Sequence, residues 1–248
     1  MALDEAIAHS VRTGNCPPTL RLYEWSSPSI SLGVFQSIND IHRHFCDAHG
    51  IAVVRRPTGG RAILHGDEIT CSFSAQNEGP FSGGLYPSFY ALSSAFAVAF
   101  RLLGLDVAMK KHPTPGPELA GSARCFESVS YGELTVQGKK IIGSAQKRWP
   151  EGFLQQCCIP LSLDRDQETR AFRQHPAADG RSPLRHYLPA VTTAQIEAAL
   201  IAGFEAEFRA QLVAAQPYPE EQSLAERLAV EKYQAAEWTE SRGRKPRS

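Results

Sequence analysis

Apolar positions recur at helical spacing in four places along the chain. Leu3, Ile7 and Val11 repeat every fourth residue, and Gly14 followed by Pro17-Pro18 supplies a stop. Phe89, Leu92, Phe96, Phe100 and Leu103 mark a second helical face, ended by Gly104. Thr192 and Gln195 have the spacing of a capping box and open a third helix, with Ile196, Leu200, Phe204, Phe208 and Leu212 on one side. After Pro217 and Pro219, residues 224–238 read as a final helix, and Asn39-Asp40 can cap a short one ending near Gly50. Between these lie β-branched and alternating runs at 20–25, 29–34, 51–56 and 153–163. Residues 61–65 and 68–75 read as a hairpin around Gly66-Asp67, and 133–136 with 139–144 as another around Gln137-Gly138. Residues 76–86 and 110–124, rich in glycine or proline, read as loops, and the basic tail SRGRKPRS as a frayed end. About four helices among seven or eight strands predict a mixed α/β fold with a largely antiparallel sheet and flanking helices.

Composition narrows the function classes. The 248 residues are 42% hydrophobic and 21% charged, an ordinary globular balance. Lys+Arg and Asp+Glu are both 26, so no overall charge draws the chain to nucleic acid or to an anionic membrane. Asp4 and Glu5 stand where a secretory signal needs positive charge and then an apolar core. The least polar stretch, near 90–100, is too short to span a bilayer. Six cysteines in a chain without an export signal read as reduced thiols in the cytoplasm.

Candidate chemistry concentrates in a few segments. The run Arg55-Arg56-Pro57-Thr58-Gly59-Gly60-Arg61 sits between two strands, where paired glycines allow close backbone approach and arginines favour an anionic or strongly polar ligand. A solvated turn reads equally well. Neither a Walker loop nor a dinucleotide fingerprint is present. His42, His44, Cys46 and His49 match no zinc-ligand spacing, so no metal is expected. Cys157-Cys158 fall in a strand and point to opposite faces, which reads as packing rather than a redox pair. Cys125 follows a Pro/Gly-rich loop outside any periodic pattern, either an exposed thiol or a small half-buried one. Of Lys139 and Lys140 at most one can face inward. His65, at a strand end, reads as a base or a core histidine.

Together, RRPTGGRAILHGDEITCSFS, VQGKKIIGSAQKRW, MALDEAI, LRLYEWSSPSISLGVFQ and EKYQAAEW resemble, in order, segments of the superfamily of biotin ligases, lipoate-protein ligases and octanoyltransferases. Within it, Cys125-Phe126-Glu127 ahead of the lysine hairpin resembles the cysteine-dependent octanoyl-acyl-carrier-protein:protein octanoyltransferases. That resemblance implies the superfamily's catalytic-domain fold, Cys125 as acyl-thioester nucleophile, and Lys140 as the lysine that lowers its pKa and positions the carbonyl. It implies a substrate pocket from Arg56, Thr58, Gly59, Gly60, His65, Gly143, Ser144 and Ala145, with no cofactor and no metal. The implied donor is octanoyl-acyl-carrier protein. The implied acceptors are lipoyl-domain proteins, such as the glycine-cleavage H protein and 2-oxoacid dehydrogenase acyltransferase subunits. Nucleic acid and membrane are not among the expected partners, and a monomer is the default.

The same resemblance places a catalytic domain at 1–215 and a C-terminal helix with basic tail at 216–248. Family members carry a strand before the MALDEAI-like helix, so the chain is expected to lack that N-terminal strand. Three rivals share parts of the pattern: an ATP-dependent lipoate-protein ligase, an octanoyl amidotransferase acting between lipoyl domains, and a non-catalytic acyl- or lipoate-binding module.

Overall fold

The computed structural model describes residues 1–110, 132–173 and 180–241. The chain runs α1 (Ala2–Arg12), β1 (Thr19–Tyr23), β2 (Ser29–Leu32), α2 (Arg43–Ala48), β3 (Ala52–Arg55), β4 (Ile63–His65), β5 (Glu68–Gln76), α3 (Leu85–Leu102) and β6 (Ala108–Met109). It continues β7 (Leu134–Val136), β8 (Lys139–Lys140), β9 (Gly143–Arg148), β10 (Gly152–Pro160), α4 (Arg165–Ala171), α5 (Thr193–Phe208), α6 (Pro219–Leu228) and α7 (Ala236–Glu240). A π-helical turn at Ala229–Tyr233 separates α6 from α7.

Among the described residues the strands form three sheets. The main one is antiparallel in the order β1-β5-β10-β9; a second has β2 between parallel β3 and antiparallel β4; a third is the antiparallel meander β6-β7-β8. The mixed, largely antiparallel architecture is the one that the alternation of elements predicts.

The main sheet has two unlike faces. Opposed residues of β5 and β10 share a face, so Ala75, Phe73, Cys71 and Ile69 join Phe153, Gln155, Cys157 and Ile159. This face meets α3 and α5, and Phe73 packs 5.6 Å from Phe204 and 6.1 Å from Phe153 between ring centres. The helices approach closely at Gly203, where a Cβ would lie 2.6 Å from the Ala95 carbonyl oxygen. The opposite face, with Ser72, Thr70, Gln156 and Cys158, turns toward α1. Both faces are covered, so every residue of β10 is buried.

Several expectations change. The hairpin expected at 61–65 and 68–75 is not a pair: β4 bonds to β2, and β5 to β1 and β10. Gly66-Asp67 is the point at which the chain passes from one sheet to the other. The second hairpin forms over only two residues of β8, after which β9 departs to join β10. The helix expected over 224–238 divides at Ala235, whose extended backbone returns α7 toward β3. The helix α4 carries no apolar period and was not expected; Asp164 caps it through the Gln167 N–H at 2.9 Å.

Candidate active site

A cavity of about 300 Å³ opens where β2 and β4 meet β9, β10 and the start of α3. Arg56, Gly59, Gly60, His65, Lys140, Gly143, Ser144 and Ala145 all line it. Thr58 stands behind the wall, where its hydroxyl donates to Gln156 Oε1 at 2.9 Å. Cys125, with the whole Cys125-Phe126-Glu127 motif, lies outside the described residues. Apolar wall comes from Ile63, Leu85 and Phe89.

Arg56 is buried, and each of its five N–H groups has a neutral acceptor. Nε and Nη2 donate to the Gly59 carbonyl at 3.1 and 2.6 Å, and Nη2 donates to the Arg61 carbonyl at 2.7 Å. Nη1 donates to the Ser31 carbonyl at 2.9 Å and to its hydroxyl at 3.0 Å. Burial without a carboxylate partner brings this guanidinium down to about 10. The Gly59-Gly60 turn is therefore wrapped around a cation. Gly60 sits at φ +87°, and Gly33 backs it so closely that a Cβ on Gly33 would lie 1.9 Å from the Gly60 carbonyl oxygen.

His65 belongs to the same network. Its Nε2 lies 2.7 Å from Ser31 Oγ and its Nδ1 lies 2.7 Å from Glu68 Oε1. With the Glu68 carboxylate accepting the Nδ1 proton, the Ser31 hydroxyl, which also accepts from Arg56, donates to Nε2. The Trp25 indole stacks on the imidazole at 4.2 Å, which fixes the ring plane. This Glu68–His65–Ser31–Arg56 chain makes a rigid polar end to the cavity.

Lys140 reaches the cavity from β8 and pairs with Glu133 at 2.5 Å, while Lys139 is exposed. On the far side, Asp4 is fully buried. It accepts from Arg21 at 2.7 Å, Tyr23 at 3.0 Å, Ser72 at 2.9 Å and Gln156 at 2.8 Å. Burial works against its charge, but the N-terminal amine, Arg21, Gln156 and Ser72 outweigh it and hold the carboxyl below its usual range.

Residues 1–205 match the family model described as the lipoyl protein ligase A/B catalytic domain. The chain belongs to that family. It is similar to the octanoyltransferase LipM of Moorella thermoacetica, at 44% identity over 168 residues, 67% of this chain and 62% of that protein. It is also similar to the octanoyltransferases LipM of Kyrpidia tusciae (36%) and Carboxydothermus hydrogenoformans (32%), each over 96% of this chain and 92% of the relative. Among solved structures, a lipoate-protein ligase A bound with ATP superposes at TM-score 0.81 and 24% identity, covering 96% of this chain and 91% of the other, a likeness of fold.

The glycine turn and the lysine hairpin sit on one cavity, though a sheet boundary separates them. The residues that hold them in place were invisible in the sequence pattern. Ser31, Glu68, Gln156 and Asp4 are polar residues in buried positions, and their only signal is polarity inside otherwise apolar or alternating segments. Among the described residues no group of three or more His, Cys, Asp or Glu side chains could hold a metal ion. No helix among them is long and apolar enough to cross a membrane.

Proposed function

We propose that this chain is an octanoyltransferase of lipoate biosynthesis that moves an octanoyl group from acyl-carrier protein to the lysine of a lipoyl-domain protein. The observation that carries the reading is the similarity to relatives named octanoyltransferase LipM over nearly the full length of both chains. The cavity supports it, since apolar walls suit an alkyl chain and the polar end suits a carbonyl.

In this reading the Cys125 thiolate attacks the thioester carbonyl of the donor, and the carrier thiol leaves with a proton. The octanoyl group is then held as an enzyme thioester. The acceptor lysine amine attacks that carbonyl, the Cys125 sulfur leaves, and the amine gives up a proton as the amide forms. The thioester already carries the activation, so ATP is not required. Lys140 supplies positive charge that favours the thiolate and holds the carbonyl oxygen. Arg56, Thr58, Gly59, Gly60, His65, Gly143, Ser144 and Ala145 shape the acyl site.

The deciding experiment is intact-mass analysis after mixing with octanoyl-acyl-carrier protein. A transferase gains one octanoyl group, removable by hydroxylamine, and passes it to a lipoyl domain without ATP. Cys125→Ala abolishes the adduct, while Cys157→Ala and Cys158→Ala keep it. Labelling only with free octanoate and ATP would make the chain a ligase. Labelling only from an octanoylated lipoyl domain would make it an amidotransferase.

A further inference from the structure

Cys157 on β10 stands directly opposite Cys71 on β5. Opposed residues of an antiparallel pair carry Cα atoms about 4.5–5.5 Å apart, inside the window of roughly 4.4–6.8 Å that a disulfide needs. Both side chains project from the same face of the sheet. Cys158 projects from the other face, where burial pushes its thiol up to about 12.

The surroundings of the two sulfurs differ. Cys157 lines the cavity and Cys71 lies behind it in the core. The Ser144 hydroxyl donates to Cys157 Sγ at 3.3 Å, and Gln155 Nε2 lies 3.5 Å from it. Burial opposes ionisation of Cys157, but the hydrogen bonds from Cys71, Ser144 and Gln155 and then the charge of Lys140 prevail, so its thiol titrates below the ordinary range. Cys71 is pushed the other way by its hydrogen bond to Cys157 and by burial. An attacking sulfur reachable from the cavity thus has a resolving thiol in register behind it.

We propose that Cys157 and Cys71 form a peroxide-reactive pair whose product is a disulfide across β5 and β10, in the wall of the cavity. The Cys157 thiolate attacks one oxygen of a hydroperoxide and the O–O bond breaks. The departing hydroxide takes the proton released by Cys157 and becomes water, leaving a sulfenic acid. The Cys71 sulfur then attacks Cys157 Sγ, the S–S bond forms, and the S–O bond breaks. The second hydroxide leaves with the Cys71 proton as water. The two thiols lose two electrons and two protons, and hydrogen peroxide gains both to become two waters.

The test uses the full chain treated with hydrogen peroxide. Free thiols are then blocked at low pH and the non-reduced digest is mapped by mass spectrometry. The expected product is the Cys71 peptide joined to the Cys157-Cys158 peptide, two hydrogens lighter than the sum and released by dithiothreitol. Cys158→Ala keeps the link. Cys157→Ala removes it, and Cys71→Ala leaves Cys157 to collect one or two oxygens instead. Three results on the unaltered chain would overturn the proposal. One is Cys157 gaining oxygens with no link to Cys71, another is a link from Cys157 to a different cysteine, and the third is both thiols surviving peroxide that oxidises half-buried Cys16.

Discussion

Alanine at Gly33 puts a methyl carbon 1.9 Å from the Gly60 carbonyl oxygen, where ordinary contact begins near 3.4 Å, so the glycine turn must retreat by about 1.5 Å. Three hydrogen bonds cannot survive that shift unchanged. Arg56 donates to the Gly59 carbonyl from Nη2 at 2.6 Å and Nε at 3.1 Å, and the Val34 N–H donates to the Thr58 carbonyl at 2.9 Å. Bonds from a charged donor are worth about 1.5–3 kcal/mol each and a neutral one about 1. With partial recovery, Gly33→Ala is expected to cost about 3–5 kcal/mol, a fall of roughly 6–20 °C in Tm for a chain of this size. Neighbouring glycines supply the controls. A Cβ on Gly59 meets nothing within 4 Å, so Gly59→Ala should change stability by less than about 1 kcal/mol. Gly60→Ala falls between, because its φ of +87° adds about 1–2 kcal/mol of strain and its Cβ lies 2.9 Å from Arg56 Nη2. Denaturant and thermal unfolding of the three variants beside the parent measure the order directly. A Gly33→Ala protein melting within about 2 °C of the parent, or a Gly59→Ala protein equally damaged, would refute the packing described for this turn.

Three further outcomes are expected. Lys140→Ala should slow alkylation of Cys125 near neutral pH, with Lys140→Arg restoring part of the rate and exposed Lys139→Ala changing little; equal effects at both lysines in peptide-resolved iodoacetamide kinetics would remove the role. Asp4 titrates below its unfolded-state value, so its charge stabilises the fold at pH above about 4 and that contribution disappears as pH falls through its lowered folded pKa. The stability gap between parent and Asp4→Asn, read from urea midpoints, should therefore be full at pH 7 and shrink below about pH 4; a gap that widens in acid contradicts the sign. Trp238→Phe deletes the indole N–H that donates to the Arg55 carbonyl at 2.8 Å and should cost about 1 kcal/mol, whereas Arg55→Lys should cost more in the same melts, because a lysine cannot span the carbonyls of Gly33, Gln36 and Thr239 together.

Helix faces were legible because burial on one side leaves a period in the sequence. Ile196, Leu200 and Phe204 are buried as their spacing predicts, and the Thr192–Gln195 box closes as expected, with the Gln195 N–H to Thr192 Oγ1 at 3.2 Å. Strand partners were less legible. The runs around Gly66-Asp67 have the local form of a hairpin, but pairing is a long-range choice, and β4 and β5 take their partners in separate sheets. Polar residues inside β10 gave no warning that Gln155 and Gln156 would be buried: Gln155 is met by Gln146 on the adjacent strand, and Gln156 finds Asp4 and Thr58 far along the chain. Asp4 itself reads from sequence as a surface charge on a helix, and its burial depends on Arg21, Tyr23 and Ser72 arriving from two strands. The thiol pair was hidden for the same reason: sequence neighbours Cys157 and Cys158 face apart, while Cys71 and Cys157, 86 residues distant, meet across a ladder.

The two arginines show how the site is tied to the rest of the molecule. Arg55 and Arg56 are consecutive, at the end of β3, and send their side chains in different directions. Arg56 turns to the cavity and is wrapped by the glycine turn. Arg55 turns to the C-terminal segment, where its guanidinium meets the carbonyls of Trp238 at 3.1 Å and Thr239 at 2.7 Å. The same group reaches back to the carbonyls of Gly33 and Gln36 at 2.8 and 2.7 Å. Gly33 is the residue that backs Gly60. A continuous set of contacts therefore runs from α7 through Arg55 and Gly33 to the glycine turn. The C-terminal segment also meets α1, where Lys232 and Tyr233 bind Glu5 at 2.6 and 2.5 Å, one residue from Asp4. Both walls of the cavity thus lean on residues 219–241, which lie beyond the 1–205 matched by the family model. Buried charges make that dependence strong: removing an acceptor from a desolvated guanidinium costs more than the hydrogen bond itself contributes. A segment with few apolar anchors can still fix the geometry of a distant pocket when its backbone carbonyls are what a buried cation requires.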